Sequence, residues 1–389
     1  MPEGSRAVHG TFDARFARVH EVFERGFADH GELGASVAVM IDGELVVDLH
    51  AGFMDKAKTR AWTADTLANV YSVTKAWTAV MAHRLVDQRK LDLDAPVASY
   101  WPEFAANGKD RIPVHALLDH RAGLPALHDL LPPDALFDWS AMTTALANEA
   151  PWWTPGTMHG YHPVTFGWLV GEVIRRVSGK SPGAYFSEEI AIPLGIDAHI
   201  GLAEKEDVRC TELRFLKRDP SAGPSFAEKL MADPEGMAAR AFSNPPSLVI
   251  PQIAQTRAWR GAEIPSANGH TNARALARFY GSLARGGELD GVRVLSGDAI
   301  DRLRRERSRG HDAILGVETR FGSGFMLSLP HASFGPNEGA FGHPGMGGSL
   351  GFADPKTRIG FGYVTNMLGA SLLIDPRAAR LIDALHASL

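Results

Sequence analysis

The feature that most limits the fold is where the strand-forming stretches lie. Residues 36–41 (Ser-Val-Ala-Val-Met-Ile) and 44–49 (Glu-Leu-Val-Val-Asp-Leu) flank Asp42-Gly43. Two apolar runs around such a dipeptide predict a β-hairpin with a tight turn. A second strand pair, 349–353 and 358–365, is joined at Asp354-Pro355-Lys356 close to the other end of the chain. Between the pairs the apolar spacing is helical. Strands at both ends and helices in the middle predict an α+β fold, with an antiparallel sheet flanked by helices and a mostly helical inserted domain. The expected boundaries are 1–70 with 266–389 for a discontinuous α/β domain and 71–265 for the helical one, with the active site between them. Within the latter, 204–265 carries many Pro, Ser and charged residues with poor periodicity, and is expected to be an irregular insertion that rims the site.

Helices follow from apolar residues at i, i+3 and i+4. Phe12, Phe16, Val19, Phe23 and Phe27 predict an opening amphipathic helix. Others are predicted over 70–94, 113–118, 140–148, 164–177 (closed near Gly179) and 271–284 (closed at Gly286-Gly287). Asp375-Pro376 caps a terminal helix.

Composition narrows the function. The 389 residues carry a net charge of -5, which favours no nucleic-acid partner, and the basic stretch 302–309, broken by Glu306, reads as a solvated helix face. A single cysteine, Cys210, leaves no intrachain disulfide, Cys-rich zinc site or redox pair. The sixteen histidines show no His-Glu-x-x-His spacing, so no metal is expected. Neither a dinucleotide fingerprint nor a P-loop is present, so no cofactor is expected. Segment 1–12 has no apolar core of a secretory signal, and no apolar run is long enough for a membrane span. The expectation is a cytoplasmic protein with no membrane partner.

Three stretches could carry chemistry. Ser72 and Lys75 stand three apart at the start of a predicted helix, and so share a face. A serine needs a neighbouring base to become a nucleophile, and a lysine is one only when burial lowers its pKa; the apolar residues after Lys75 could supply that burial. Tyr161 sits in a Gly/Pro-rich turn ahead of the 164–177 helix, where a phenol can relay a proton. Gly342-His343-Pro344-Gly345-Met346-Gly347-Gly348 precedes the second strand pair, and an edge strand there could aim a main-chain N–H at an oxyanion together with the N–H of Ser72. Each stretch also has an ordinary reading: an exposed capped helix, an aromatic plug, a glycine turn. Ser349 lies in a Gly-x-Ser-x-Gly match, but that motif needs a strand before it and a helix after it; here a strand follows, and only His386 lies further on as a base.

Taken in order, the three stretches resemble the Ser-x-x-Lys, tyrosine and Lys-Thr-Gly elements of the β-lactamases and penicillin-binding proteins. The resemblance is to the class C branch, above all to the family VIII carboxylesterases, and runs from about Ser36 to Asn366. It includes Leu91-Asp-Leu-Asp-Ala-Pro-Val, Tyr100-Trp-Pro-Glu103, the stretch from Leu117 to Pro125, and Phe166-Gly-Trp-Leu-Val-Gly171. It implies Ser72 as nucleophile, Lys75 and Tyr161 as proton-transfer partners, and the N–H groups of Ser72 and Met346 as the oxyanion hole. His343 and Gly345 fall where Lys-Thr-Gly would be and are expected to meet substrate. Pro163 replaces the asparagine that ends the tyrosine motif of class C lactamases, and His343 replaces the lysine that helps bind a substrate carboxylate. Both departures argue against a dedicated β-lactamase and for neutral esters; the expected substrate is a small carboxylic ester of short to medium chain. Trp152, Trp153 and the stretch 242–250 are expected near its pocket. Acyl transfer, amide or β-lactam cleavage, and a catalytically silent binding homologue stay open, as does the choice between Lys75 and Tyr161 as base.

Overall fold

A computed structural model describes residues 7–217, 223–250 and 252–389. Residues 218–222 and 251 of the expected insertion, and 1–6 of the N-terminal segment, lie outside these described residues.

Among the described residues the frame is an antiparallel sheet of nine strands. In chain order these are β1 (His9–Phe12), β2 (Gly34–Ile41), β3 (Glu44–Gly52), β4 (Ser308–His311), β5 (Glu318–Phe321), β6 (Met326–Leu327), β7 (Phe341–Pro344), β8 (Leu350–Asp354) and β9 (Ile359–Thr365). Their spatial order is β1-β3-β2-β9-β8-β7-β6-β5-β4, so β2 pairs directly with β9, its register running from Ala35↔Thr365 to Ile41↔Ile359. Strands from the two chain ends thus meet at the middle of one sheet. The β2–β3 turn has positive φ at Asp42 (51°) and Gly43 (93°), as a two-residue hairpin turn requires.

Five helices position the site: α1 (Ala17–Asp29), α2 (Thr74–Asp87), α3 (Thr165–Ser178), α4 (Ala273–Ala284) and α5 (Pro376–His386). Strand side chains alternate between faces. Ala38 and Met40 share a core with Leu276, Phe279 and Tyr280 of α4, whereas Val37 and Val39 share a second core with Val19 and Phe23 of α1 and Leu381 and Leu385 of α5. Every residue of β2 up to Met40 is accordingly buried, as a strand covered on both faces must be. Helices α2 and α3 pack against each other in the first core.

Three expectations need correction. Phe12 lies in edge strand β1, not in the opening helix, because the chain turns at Asp13 before the helical period begins at Phe16. The basic stretch is not one helix face: a helix ends at Arg304 and the chain continues into β4. The 204–265 stretch is less irregular than its periodicity implies. It holds short helices at Phe226–Ala232, Met237–Ser243 and Arg257–Gly261, the longest of seven residues, too short for a 3.6-residue period to emerge.

Candidate active site

Ser72 lies on a tight turn that leads into α2. Its carbonyl accepts from the Lys75 N–H (3.0 Å), and Tyr71 accepts from Thr74 (3.0 Å). Tyr71, directly before it, holds a left-handed φ of 45° that a side-chain-bearing residue adopts only under constraint. The constraint is visible: Val70 donates to the Gly269 carbonyl (2.8 Å), Tyr71 bridges to Asn268, and the Thr74 hydroxyl accepts from the Gly269 N–H (2.9 Å). The turn that presents Ser72 is therefore fixed by a segment almost two hundred positions further along the chain.

Lys75, one turn on, is fully buried. Its Nζ lies 3.0 Å from Ser72 Oγ, 2.7 Å from the Pro163 carbonyl and 3.0 Å from the Ser266 carbonyl. All three partners are uncharged, and the aromatic rings of Tyr161 and Phe166 lie 4.8 and 5.8 Å from the nitrogen. With no carboxylate to repay the loss of water, burial holds the Lys75 pKa well below that of an ordinary lysine. Carbonyl oxygens can only accept. A neutral amine has two protons and one lone pair, so the two carbonyls claim the protons and the lone pair is left facing the Ser72 hydroxyl.

Tyr161 is buried beside them. Burial drives its phenol pKa upward, and a side-chain hydrogen bond with Ser72 works in the opposite direction without overcoming it. The phenol is thus a proton donor at neutral pH. Its backbone is held by Asp312, whose two carboxylate oxygens each accept from the Tyr161 N–H at 3.0 Å. Asp312 is fully buried and also accepts from Ile314, Leu315 and the Thr319 hydroxyl. Four imidazoles lie around this centre. His120 lies tilted at 4.9 Å from the Tyr161 ring and His343, also tilted, at 6.1 Å; His162 donates from Nδ1 to the Gly160 carbonyl and accepts at Nε2 from Leu124; His159 meets Thr319 at 2.9 Å. Burial depresses all four, with His162 and His343 at about 3, so both of these are neutral near pH 7.

The glycine stretch arrives on β7. A Cβ on Gly345 would run into the Val70 carbonyl oxygen, so only glycine lets this segment lie against the turn that carries Ser72. Gly345 to Gly348 then form a turn closed by Gly348 N–H to Gly345 O (3.1 Å). Among the described residues neither the Met346 N–H nor the Ser72 N–H has a hydrogen-bond partner. His343 uses Nδ1 on the Pro344 carbonyl (2.8 Å) and leaves Nε2 buried and unpartnered.

The two tryptophans part company. Trp153 packs edge-on against His162 at 6.0 Å, next to the centre. Trp152 donates to the Ala126 carbonyl (3.0 Å) and stacks on His128 at 3.8 Å, which gives it a structural duty. Phe242 packs against Phe226 in the segment 223–239, which with Ile314 and Leu315 lines a cleft of about 830 Å³. Ser349 sits at a strand-turn-strand, its Oγ accepting from the Thr365 N–H at 3.3 Å, with no helix after it. Asp312, Ser266 and the Pro163 carbonyl were not singled out from the sequence; a lone Asp, a lone Ser and a main-chain oxygen carry no motif.

A family model described as beta-lactamase matches residues 19–384. This chain belongs to the beta-lactamase family. The Esterase/beta-lactamase LipL of Mycobacterium tuberculosis is 37% identical over 385 residues, covering 97% of this chain and 87% of that one. A penicillin-binding protein homolog from Caulobacter crescentus superposes with a TM-score of 0.89 at 44% identity, over 98% of this chain and 100% of the other. A family VIII carboxylesterase does so with the same TM-score at 40% identity and the same coverage. The mixed helix and antiparallel sheet expected from the sequence is the fold of this family. Among the described residues no helix is long and apolar enough to cross a membrane, and no group of three or more His, Cys, Asp or Glu side chains is arranged to hold a metal ion.

Proposed function

We propose that this protein is a serine carboxylesterase that cleaves short- to medium-chain esters through an acyl-enzyme on Ser72. The observation that carries the reading is the Lys75 amine, buried among neutral oxygens with Nζ 3.0 Å from Ser72 Oγ. Lys75 takes the Ser72 proton as Oγ attacks the ester carbonyl. The oxyanion is received by the N–H groups of Ser72 and Met346, a two-donor arrangement worth several kcal/mol. As the tetrahedral species collapses, Tyr161 gives its phenolic proton to the departing alkoxide, and the Lys75 ammonium returns a proton to the phenolate. Water then enters, and the same groups run in reverse order to free the acid. Since the three side chains share protons, their titrations belong to the set.

An ester is favoured over a β-lactam because the position of the carboxylate-binding lysine is filled by His343, neutral and buried. The name of the family VIII carboxylesterase points the same way, and that of LipL includes esterase beside beta-lactamase. His343, Gly345 and Trp153 are proposed to border the substrate. The alkyl part is assigned to the cleft bordered by Phe226, Met237, Ile314 and Leu315. Its wall is tied to the chemistry by Asp312, which holds Tyr161, Ile314 and Leu315 together.

The test is steady-state hydrolysis of p-nitrophenyl acetate and butyrate beside a chromogenic cephalosporin. The ester is expected to turn over faster than the cephalosporin, and Ser72→Ala to lower ester turnover by roughly four orders of magnitude or more. Unchanged turnover in Ser72→Ala would refute the assignment.

A further inference from the structure

Behind the glycine turn lies a buried ionic cluster that the reaction steps above do not use. Arg377, near the start of α5, has a side chain 5% exposed, and its partners Asp375 and Glu32 are 4% and 3% exposed. Nε donates to Asp375 Oδ1 at 2.8 Å, Nη2 lies 3.1 Å from Asp375 Oδ2, and Nη1 lies 3.2 Å from Glu32 Oε1. Glu32, on the loop after α1, also accepts from the hydroxyls of Tyr363 and Thr365 on β9. Taking three charged groups out of water is expensive, and apolar residues of similar size would pack as well or better. An arrangement of this kind calls for something that only a fixed, charged donor can do.

What it does is visible at Nη2, which donates to the Gly347 carbonyl at 2.8 Å. That oxygen also accepts from the Gly369 N–H at 2.9 Å. Gly347 is the residue after Met346, inside the turn that runs from Gly345 to Gly348. A Cβ on Gly348 would lie 2.9 Å from Arg377 Nη2, so the guanidinium rests against the turn's backbone. The opposite end of the turn abuts Val70 and Val73, beside Ser72. The turn is thus gripped on one side by the nucleophile's segment and on the other by Arg377, with the Met346 N–H between them.

We propose that Arg377, braced by Asp375 and Glu32, is a positioning residue for the oxyanion hole: it fixes the Gly347 peptide so that the Met346 N–H is held at the oxyanion before substrate arrives. This rests on the reading of Ser72 and Met346 given above. A hydrogen-bond donor that must find its place during the reaction is worth less than one already in place, and the loss falls on the transition state, not on substrate binding.

The experiment compares Arg377→Met, Arg377→Lys and Leu381→Ala with the wild type in p-nitrophenyl butyrate hydrolysis, each with its melting temperature. Leu381 is a buried residue of the same helix with no polar contact to the turn, so it reports the cost of loosening α5 alone. Arg377→Met is expected to lower kcat roughly 10- to 100-fold with KM within about twofold. It should also weaken inhibition by a boronic acid, whose tetrahedral adduct uses the same N–H donors, by a similar factor. Arg377→Lys, which keeps one donor but not the fork, should recover part of both losses. Leu381→Ala should lower the melting temperature with kcat nearly unchanged. Should Arg377→Met fail to fold, Arg377→Lys carries the test, with kcat and boronate affinity falling together. Arg377 variants with wild-type kcat and boronate affinity, or with losses matched by Leu381→Ala, would overturn the inference alone. A Ser72→Ala protein as active as the wild type would overturn the functional reading and this inference with it.

Discussion

Two basic side chains, Lys75 and Arg377, are buried near the reaction centre, and their surroundings are opposite. Lys75 is enclosed by a hydroxyl, two carbonyls and aromatic rings, with no carboxylate in contact among the described residues. Arg377 is enclosed by two carboxylates. Burial acts against the charge on both. At Lys75 nothing opposes it, and the pKa falls. At Arg377, burial is outweighed by Tyr363, Glu32 and Asp375, and the pKa rises. One site therefore holds an amine that can take a proton, and the other a permanent charge that can only hold a backbone in place. The difference lies less in the residue type than in the oxygens each is given, neutral in one case and anionic in the other.

The largest effect should come from giving the first site the second site's cation. Lys75→Arg puts a group that stays protonated at every working pH where a base is needed. Its kcat is expected to fall by roughly three orders of magnitude, with no recovery when the assay is taken to pH 9. Substantial activity in Lys75→Arg would mean that a neutral group at this position is not required, and the contrast would lose its meaning.

A smaller change would follow from giving Lys75 the kind of partner Arg377 has. Ser266 is fully buried, and its carbonyl accepts from Lys75. In Ser266→Asp a carboxylate replaces the hydroxyl that donates to the Val164 carbonyl, on the residue whose own carbonyl meets Lys75, and an anion that near the amine favours the charged form and raises its pKa. Activity needs the neutral amine, so it is lost as pH falls through that pKa. The acid limb of the kcat/KM profile should move upward by about one pH unit or more, read from rates between pH 5 and 9. A limb that stays in place would show that it does not report Lys75.

The smallest effect concerns stability. His83 lies on α2 beyond Lys75, fully buried, with Nε2 2.9 Å from Ser323 Oγ. Among the described residues it too lacks a contacting carboxylate, and burial, followed by Arg302, lowers its pKa to about 3. The unfolded chain binds this proton near pH 6.5, and the folded one only near 3. Stability from this group is therefore complete above about 6.5 and is lost as pH falls toward 3. Each such histidine adds about 1.4 kcal/mol per pH unit to the slope in that window. His83→Gln should remove one proton's share, measured by urea unfolding at pH 6 and pH 4.5. An unaltered slope would mean that His83 is not kept neutral by the fold.

Much of the frame was legible because local chemistry dictates it. Asp42-Gly43 between two apolar runs could hardly be anything but a hairpin turn, and Asp375-Pro376 opens α5 where a cap followed by proline should. Gly179 ends α3 with a left-handed φ of 74°. Where the local signal was thin, the reading went astray. Phe12 matched the helical period by chance and was recruited into β1 by pairing with Val47 on β3. The short helices of the 226–261 region fell below the length at which a period can be seen.

The order of Ser72, Lys75, Tyr161 and the glycine stretch is written in the chain, and so is the spacing that puts Ser72 and Lys75 on one face of a turn. Proton affinity is not. Whether Lys75 gives up its proton depends on carbonyls at Pro163 and Ser266, and the hold on Tyr161 depends on Asp312, 151 positions away. Arg377 reaches Gly347 only because α5 folds back beside the sheet. These are long-range electrostatic facts, set by which oxygens surround a buried charge, and that is decided only when distant segments pack.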